Sequence, residues 1–223
     1  MNVRRVNRWV RQNGRLLSIA ARRAASFVVP YRPEKGGAKK LDEEYARGMW
    51  DYLQGIPEAP RLGITATYCH LFAGNGSILE VGCGEATLLE HLCPSRYYRY
   101  VGIDLSSEAI ERAKRRGNEK TTFLVADASE FQTDERFNVI VFNECIQYFD
   151  DPVGQVGRYE RFLTENGYLI ISQFVGTHAV FTKKFWKMIS ERYRIKAESR
   201  ITTLKTRTSI IKTLRPGERA FNA

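Results

Sequence analysis

The feature that most constrains the fold of this chain is the run Ile78-Leu79-Glu80-Val81-Gly82-Cys83-Gly84. A mostly apolar run that ends in Gly-x-Gly predicts a buried strand followed by a tight turn. Glycine allows such a turn because it adopts backbone conformations that other residues avoid, and because it lets a ligand approach the backbone closely. The run therefore predicts a strand and turn that hold a ligand.

From residue 77 onward, strand-like and helix-like segments alternate. The predicted strands cover 77–81, 98–103, 121–125, 137–142, 168–174 and two Ile- and Thr-rich runs near 195–204 and 208–214. The predicted helices cover 86–92, 108–116 (with Ser106 as the cap), 153–163 and 181–191. This alternation predicts an α/β domain over 77–215, doubly wound around a mostly parallel sheet, with a short tail at 216–223.

Two segments precede this domain. Residues 36–76 are predicted to form a helical cap, in which Pro57 and Pro60 separate an aromatic-rich helix from a second helix. Residues 1–35 form a basic N-terminal segment and linker, where apolar residues recur at roughly helical spacing between arginines. The chain is therefore expected to carry an N-terminal helical extension on its α/β domain.

Charge is distributed unevenly along the chain, whose formal net charge is +10. Residues 1–33 hold eight arginines and no acidic residue. Residues 34–182 hold 15 basic and 22 acidic residues, and residues 183–215 hold 11 basic and 2 acidic residues. Two basic ends around an acidic centre indicate an anionic partner, which can be a membrane surface, a nucleic acid or a charged substrate. Peripheral membrane contact is assigned to residues 1–33 as a hypothesis.

Cysteine and histidine usage narrows the classes of site. Cys69, Cys83, Cys93 and Cys145 form no C-x-x-C pair, and the chain has only three histidines. A zinc site is therefore not expected, and we expect reduced thiols and a cytoplasmic location. No stretch reaches the roughly eighteen uncharged apolar residues of a membrane span.

The residues around the glycine turn indicate the chemistry of its ligand. A dinucleotide fingerprint has the form G-x-G-x-x-G, and here Thr87 occupies the position of the third glycine. Glu85, directly after the turn, would repel a pyrophosphate. A ligand with an ammonium group, a carboxylate and a sulfonium therefore fits the turn better than a ligand with two phosphates.

Further polar residues fall at the ends of the neighbouring strands, where open α/β sheets bind their ligands. Asp104, twenty residues after Gly84, can accept both hydroxyls of an adenosine ribose, although this spacing alone also suits NAD. Asp127, followed by Ala128, can accept the exocyclic amine of adenine. Asn143 opens the segment after the most apolar strand, where a ligand or substrate is expected.

Taken together, these motifs resemble the class I S-adenosylmethionine-dependent methyltransferases over residues 41–215. Residues 143–152 are similar to the small-molecule branch, which includes NodS-like and ubiquinone-type enzymes. The positions that match the family's cofactor site are Glu80, Gly82, Cys83, Gly84, Asp104, Leu105, Asp127, Ala128 and Asn143. The family also commonly has a third glycine where this chain has Ala86.

The resemblance implies S-adenosylmethionine as the methyl donor and an oxygen or nitrogen of a small molecule as the acceptor. It also implies a seven-stranded sheet whose last strand, near 208–214, runs antiparallel. Residues 143–152 lack the N/D-P-P-Y/F motif typical of enzymes that methylate exocyclic base amines, so a nucleic acid is not expected as the acceptor. The basic residues of 183–215 suggest that the small molecule is anionic.

Methyl transfer to a hydroxyl needs a base that takes up the proton. The candidates are Glu144, Tyr148, His70 and His178, and Glu144 ranks first because it directly follows a strand. Glu144 and Tyr148 are the predicted catalytic residues. Glu144 can also serve only to position the substrate, and an amine acceptor needs no base.

The remaining alternatives concern the cap and the function as a whole. Tyr45, Trp50 and Tyr52 can form a lid, because aromatic faces attract a sulfonium as they attract other cations, or they can be ordinary packing residues. An RNA or protein methyltransferase recruited through its basic ends stays open. A non-catalytic S-adenosylmethionine-binding protein stays open too, since no single residue is an unambiguous base.

Overall fold

Seven strands and five α-helices form the part of the chain that the computed structural model describes, residues 37–175, 179–203 and 207–217. The strands are β1 Ser77–Val81, β2 Arg99–Asp104, β3 Thr121–Val125, β4 Phe137–Asn143, β5 Leu163–Phe174, β6 Tyr193–Thr203 and β7 Arg207–Pro216. The helices are α1 Ala38–Ala46, α2 Ala59–Ala73, α3 Ser107–Lys114, α4 Pro152–Tyr159 and α5 Ala179–Arg192. The predicted N-terminal segment 1–35 lies outside the described residues.

All seven strands belong to one sheet in the order β3-β2-β1-β4-β5-β7-β6. Strands β1 to β5 pair in parallel, whereas β7 pairs antiparallel with both β5 and β6. The predicted fold class, a mostly parallel seven-stranded sheet with an antiparallel strand near 208–214, is therefore confirmed. In the sheet, β2 and β3 lie on one side of β1, and β4 and β5 lie on its other side. The strand order therefore reverses between β1 and β4.

The sheet is covered on both faces, as a parallel sheet requires. On one face, α4 and α5 bury Tyr159 and Phe185 against a core that includes Phe142. On the other face, α2 and α3 bury residues such as Leu62 and Ile110. β4 lies between these layers and is almost fully buried, which explains its nearly continuous apolar sequence.

Most predicted boundaries hold within a few residues, and two segments differ. The predicted helix 86–92 is a 3-10 helix, Thr87–His91, preceded by Ala86 in the left-handed region at φ 58°. The predicted helix 153–163 ends as an α-helix at Tyr159, and β5 already begins at Leu163. A register shift in the β4–β5 pairing, between Phe137 and Val139, accommodates the extra residues. Neither difference moves the strand ends that carry the predicted site.

The cap in front of β1 consists of α1, two short 3-10 helices at Asp51–Gln54 and Ile56–Glu58, and α2. Pro57 and Pro60 occupy the first turns of the second 3-10 helix and of α2, where a missing backbone N–H costs little. Gly74, at φ 61°, ends α2. No helix within the described residues is long and apolar enough to cross a membrane.

Candidate active site

A crevice of about 430 Å³, partly open to solvent, lies at the carboxyl edge of the sheet where the strand order reverses. Ligands of open α/β sheets bind at this kind of switch point. The lining residues used below are Tyr45, Trp50, Gln54 and Arg61 from the cap, Gly82, Cys83, Gly84 and Glu85 from the glycine turn, and Asn143 and Glu144 after β4. The crevice therefore lies between the cap and the ends of β1 and β4.

The glycine turn after β1 is tightly enclosed. Gly82 and Gly84 both have positive φ angles, 67° and 53°. A Cβ atom on Gly82 would lie 2.7 Å from Cβ of Cys145, and one on Gly84 would lie 2.7 Å from Oη of Tyr45. The two glycines thus permit both the turn itself and the close approach of the cap and of the segment after β4.

Asp104, at the end of β2, is bound to the glycine turn. Its Oδ2 accepts a hydrogen bond from the backbone N–H of Gly84 at 2.8 Å, and its Oδ1 accepts one from Ser106 at 2.9 Å. Burial raises the pKa of this carboxyl group above its ordinary value. The backbone N–H of Leu105 also bonds to this carboxylate, and the remaining lone-pair capacity of its two oxygens suits a ribose hydroxyl.

Glu80 lies beneath the crevice and is fully buried. Its carboxyl group accepts hydrogen bonds from the hydroxyl of Tyr100 and from Nδ2 of Asn143, the latter at 2.8 Å. Burial raises the pKa of Glu80 to about 7, although both hydrogen bonds oppose that shift. Glu80 is not a lining residue of the crevice. It supports the site indirectly, because it holds the side chain of Asn143, which does line the crevice.

Arg61, on α2, is a crevice residue that sequence reasoning missed. Its side chain is 6% exposed and its Nε lies 2.9 Å from Oε2 of Glu58. It also donates to Oδ1 of Asn143 and lies 3.7 Å from Oε1 of Glu144. Arg207 of β7 reaches the other carboxylate oxygen of Glu58 at 2.6 Å. The sequence signal was a single arginine near the start of a helix that contains no other arginine, lysine or carboxylate.

Glu144, the first-ranked candidate base, is already engaged. It has a positive φ angle of 58°, which is uncommon for a residue with a side chain. Its Oε1 accepts from Oγ of Ser172 at 2.8 Å, and its Oε2 accepts from the backbone N–H of Phe174 at 2.5 Å. These bonds fix the carboxylate at the end of β5, on the edge of the crevice.

Among the other candidate bases, Tyr148 and His70 are not lining residues of the crevice. Tyr148 is exposed and lies close enough to Tyr45 to raise its pKa electrostatically, although burial of Tyr45 is the main cause of that rise. His70 is on α2, where its Nε2 accepts from the backbone N–H of Cys93 at 3.0 Å. His178 lies outside the described residues. A catalytic role for Glu144 or Tyr148 stays a prediction.

Asp127, Ala128 and Leu105 belong to the loops after β3 and β2. The side chain of Asp127 is exposed, and its Oδ1 accepts from the backbone N–H of Ser129 at 2.7 Å. The carbonyl oxygen of Ala128 accepts three hydrogen bonds, from Gln155, Arg158 and Tyr159 of α4. Leu105 is half-buried beside Asp104. The structure thus places these residues along the same sheet edge, on the β2–β3 side of the crevice.

Aromatic rings of the cap cover one side of the crevice. The rings of Tyr45 and Trp50 stack with their centroids 5.9 Å apart, and Tyr52 follows at 6.3 Å from Trp50. Nε1 of Trp50 is buried without a hydrogen-bond partner within the described part of the chain. An unpaired buried N–H in a crevice wall is costly unless a ligand supplies an acceptor there.

Polar side chains fasten this cap over the site. Arg112 of α3 donates to the carbonyl oxygen of Tyr45 and to Oε1 of Glu85, both at 2.7 Å. Gln54 donates to the other oxygen of Glu85 at 2.6 Å. On α1, Asp42 accepts from Oγ of Ser106 at 2.6 Å, at the start of α3. Glu85 therefore bonds to α3 and to the cap, not to a ligand.

The arrangement suits a ligand with a ribose and a carboxylate. Asp104 offers free lone pairs for the hydroxyls, the turn has no side chain in the way, and Trp50 has a donor without a partner. Arg61 adds a cation in the same crevice. Glu85, beside the turn, is paired with Arg112 and Arg116, so its carboxylate takes no part in these contacts.

Comparison with known proteins places most of the described chain in one family. Residues 73–213 match the family model described as a methyltransferase domain. A nodulation protein S from Rhizobium tropici is 35% identical over 97 residues, which cover 41% of this chain and 40% of that protein. A malonyl-[acyl-carrier protein] O-methyltransferase from Acetivibrio thermocellus is 29% identical over 124 residues, which cover 54% and 43%. The chain thus matches less than half the length of each.

Solved structures share the fold. The N-methyltransferase NodS from Bradyrhizobium japonicum WM9, in complex with S-adenosylhomocysteine, superposes with a TM-score of 0.67 at 19% identity, covering 81% of this chain and 98% of that chain. A magnesium protoporphyrin IX methyltransferase from Synechocystis PCC 6803, also with S-adenosylhomocysteine bound, has a TM-score of 0.62 at 11% identity and covers 79% and 98%. At these identities the likeness concerns the fold alone.

Proposed function

This chain belongs to the methyltransferase domain family, and we propose that it transfers the methyl group of S-adenosylmethionine to an oxygen or nitrogen of a small-molecule acceptor. The predicted family is thereby confirmed. The observation that carries the proposed activity is the crevice beneath Tyr45 and Trp50, which the glycine turn and Asn143 line and whose turn Asp104 holds through the backbone N–H of Gly84.

Each part of the crevice has a proposed role towards the cofactor. Asp104 would accept the ribose hydroxyls through its free lone pairs. The unpaired Nε1 of Trp50 and the guanidinium of Arg61 would donate to the cofactor carboxylate. Asp127 would accept the exocyclic amine of adenine, and the faces of Tyr45 and Trp50 would attract positive charge.

When bound, S-adenosylmethionine supplies an electrophilic methyl group on a sulfonium. The protein then mainly has to align the acceptor, and alignment can lower a barrier by about 7–11 kcal/mol in favourable cases. Glu144 is the proposed base, with Tyr148 as the second candidate. Because Ser172 and Phe174 each hold one oxygen of Glu144, this carboxylate is held in place and would take a proton with its remaining lone pairs.

The acceptor class rests on the relatives and on charge. The relatives include an N-methyltransferase and enzymes named for an O-methylated acyl group on a carrier protein, so both atom types fit. The guanidinium of Arg207 lies 5.0 Å from the ring centre of Tyr52 and 5.6 Å from that of Phe174, beside the segment that carries Glu144. Because Arg207 also pairs with Glu58 at 2.6 Å, this cation does not by itself select an anion, and the anionic acceptor is proposed from the malonyl group in the names of those relatives.

A transfer assay tests the activity. The full chain would be incubated with methyl-labelled S-adenosylmethionine and, separately, with small-molecule extract, total RNA and total protein from the source cells. We expect label in the small-molecule fraction, and strongly reduced label with Asp104→Ala. Label confined to RNA or protein would instead support an enzyme recruited through its basic ends, and label in none of the three would favour a non-catalytic binding protein.

Two finer proposals concern location. We assign peripheral contact with anionic lipid to residues 1–33, because they combine eight arginines with apolar residues and contain no carboxylate. Flotation with anionic vesicles, with and without residues 1–33, tests this contact. The cytoplasmic location expected from the cysteines stays a prediction.

A further inference from the structure

The outer face of α5 presents a compact group of lysines. Lys183, Lys184 and Lys187 are exposed, and with Val180 they occupy positions i, i+3, i+4 and i+7 of one helix face. The opposite face of the helix is buried against the sheet, where Phe185 contributes to the core. The lysines are therefore directed away from the protein by the way the helix packs.

A fourth cation comes from the neighbouring edge strand. Arg200 of β6 pairs in register with Ile210 of β7, whose side chain is buried in the core layer beneath α5. Since residues in register share a face of the sheet, Arg200 lies on the α5 side, and it is exposed. Within the described residues, none of these four cations lies within ion-pair distance of a carboxylate. We call Lys183, Lys184, Lys187 and Arg200 the basic face.

Carboxylates near the basic face are few. Glu191 lies farther along the outer side of α5 and is exposed. Glu198 of β6 lies on the same side of the sheet, but its Oε2 pairs with Nζ of Lys212 at 2.9 Å. Four free cations thus outnumber one free carboxylate, which gives this side of the molecule a local positive field.

Apolar side chains accompany the cations and indicate the kind of partner. Val180 and Met188 are 43% and 42% exposed on the same helix. Of its large rings, Phe185 and Trp186 are buried, and Phe181 is partly buried and stacked on Phe185, so none is a fully exposed ring for base stacking. Single-stranded nucleic acids are usually bound through exposed rings, whereas a bilayer interface accepts lysines mixed with aliphatic side chains.

We propose that the basic face docks this protein on an anionic membrane surface. The helix starts directly after the carboxyl end of β5, at the sheet edge that carries the crevice, so docking would hold that edge near the lipid headgroups. The surface contains no residue of 1–33 and none of the residues that line the crevice, and the proposal does not depend on methyl transfer.

Vesicle sedimentation with the full chain tests this docking. The probes are phosphatidylcholine vesicles with and without phosphatidylglycerol. The test variant changes Lys183, Lys184 and Lys187 to Gln, and a second variant changes them to Glu. The control changes the exposed Arg96, Arg115 and Arg136 to Gln, which removes the same charge from another side of the molecule. Thermal melting of each variant checks folding.

We expect binding of the wild type and the control to vesicles that contain phosphatidylglycerol. Each neutralised lysine should weaken binding by about fivefold, so the Gln variant should bind on the order of a hundredfold more weakly, and the Glu variant more weakly still. Equal loss in the control and the lysine variants would overturn the proposal, as would wild-type binding that is unchanged by the lysine substitutions. Loss of RNA retention by folded lysine variants with unchanged vesicle binding would overturn it in favour of a nucleic acid.

Discussion

Gly84 has no side chain, and this allows the cap to pack directly against the turn at the edge of the sheet. Gly84→Ala should pay about 1–2 kcal/mol for its left-handed backbone and should also push the hydroxyl of Tyr45 away, because the new Cβ would lie 2.7 Å from it. We expect at least tenfold weaker binding of S-adenosylhomocysteine, measured by calorimetry. Removing the hydroxyl with Tyr45→Phe in the same chain should restore part of the loss.

A matched control is available at the end of α2. Gly74 has a similar φ angle of 61°, but a Cβ there would meet nothing within 4 Å. Gly74→Ala should therefore lower stability by the backbone cost alone and leave binding unchanged. Equal effects of the two alanine substitutions on binding would contradict the assigned contact between Tyr45 and the turn.

Glu80 should make stability depend on pH. Its pKa of about 7 in the folded protein exceeds the ordinary glutamate value of 4.5, so the folded state keeps a proton that the unfolded state releases. The resulting stability is present below about pH 4.5 and is lost as pH rises through about 7. The expected loss over this window is on the order of 3 kcal/mol.

Urea unfolding at a series of pH values measures this effect. The free energy of unfolding of the wild type should fall, relative to that of Glu80→Gln, as pH rises from about 5 to about 8. The exposed Glu135→Gln serves as a control and should follow the wild type. A constant difference between wild type and Glu80→Gln across the range would show that Glu80 does not titrate in this way.

At the scale of elements, α1 and α3 are joined by one carboxylate. Asp42 accepts from Oγ of Ser106, from Oγ of Ser107 and from the backbone N–H of Glu108. Ser106 itself caps α3, and its hydroxyl hydrogen bond is the main reason that the pKa of Asp42 is lowered. The cap of the molecule is thus attached to the loop that follows Asp104.

Asp42→Ala should destabilise the protein by about 1 kcal/mol, because the backbone N–H of Glu108 and the two serine hydroxyls lose their acceptor. It should also weaken binding of S-adenosylhomocysteine, because α1 would be held less firmly. Thermal melting and calorimetry measure the two effects. Glu43→Ala is a suitable control, because Glu43 is exposed and makes only a 3.7 Å pair with Arg47 among the described residues. If both variants behaved alike, α1 would not be held through Asp42.

The ends of the strands that carry the site could be predicted, because each of these strands is a short apolar run and a polar residue or a glycine comes directly after it. The helix expected at 86–92 could not be placed, because the left-handed Ala86 depends on the tight turn before it and not on helix propensity. Arg61 escaped prediction for another reason. Its partners Asn143 and Glu144 are about eighty residues away, and no local pattern signals such a pairing.

In the molecule as a whole, four chain segments meet at one edge of the sheet, and the cap covers this edge. The charge asymmetry seen in the sequence becomes a spatial one, because the free cations of 183–200 lie on α5 and β6 while the crevice lies between β1 and β4. The site and the basic face are therefore separate surfaces, and one can be altered without the other.

The central claim is that the crevice binds S-adenosylmethionine through Asp104, and calorimetric titration with S-adenosylhomocysteine tests it most directly. We predict one site per chain for the wild type and for the exposed control Asp134→Ala. Binding to Asp104→Ala should be at least about tenfold weaker, since hydrogen bonds to a charged group contribute about 1.5–3 kcal/mol. Melting curves would establish that the variant is folded. No binding by the wild type, or equal affinity in a folded Asp104→Ala, would contradict the account.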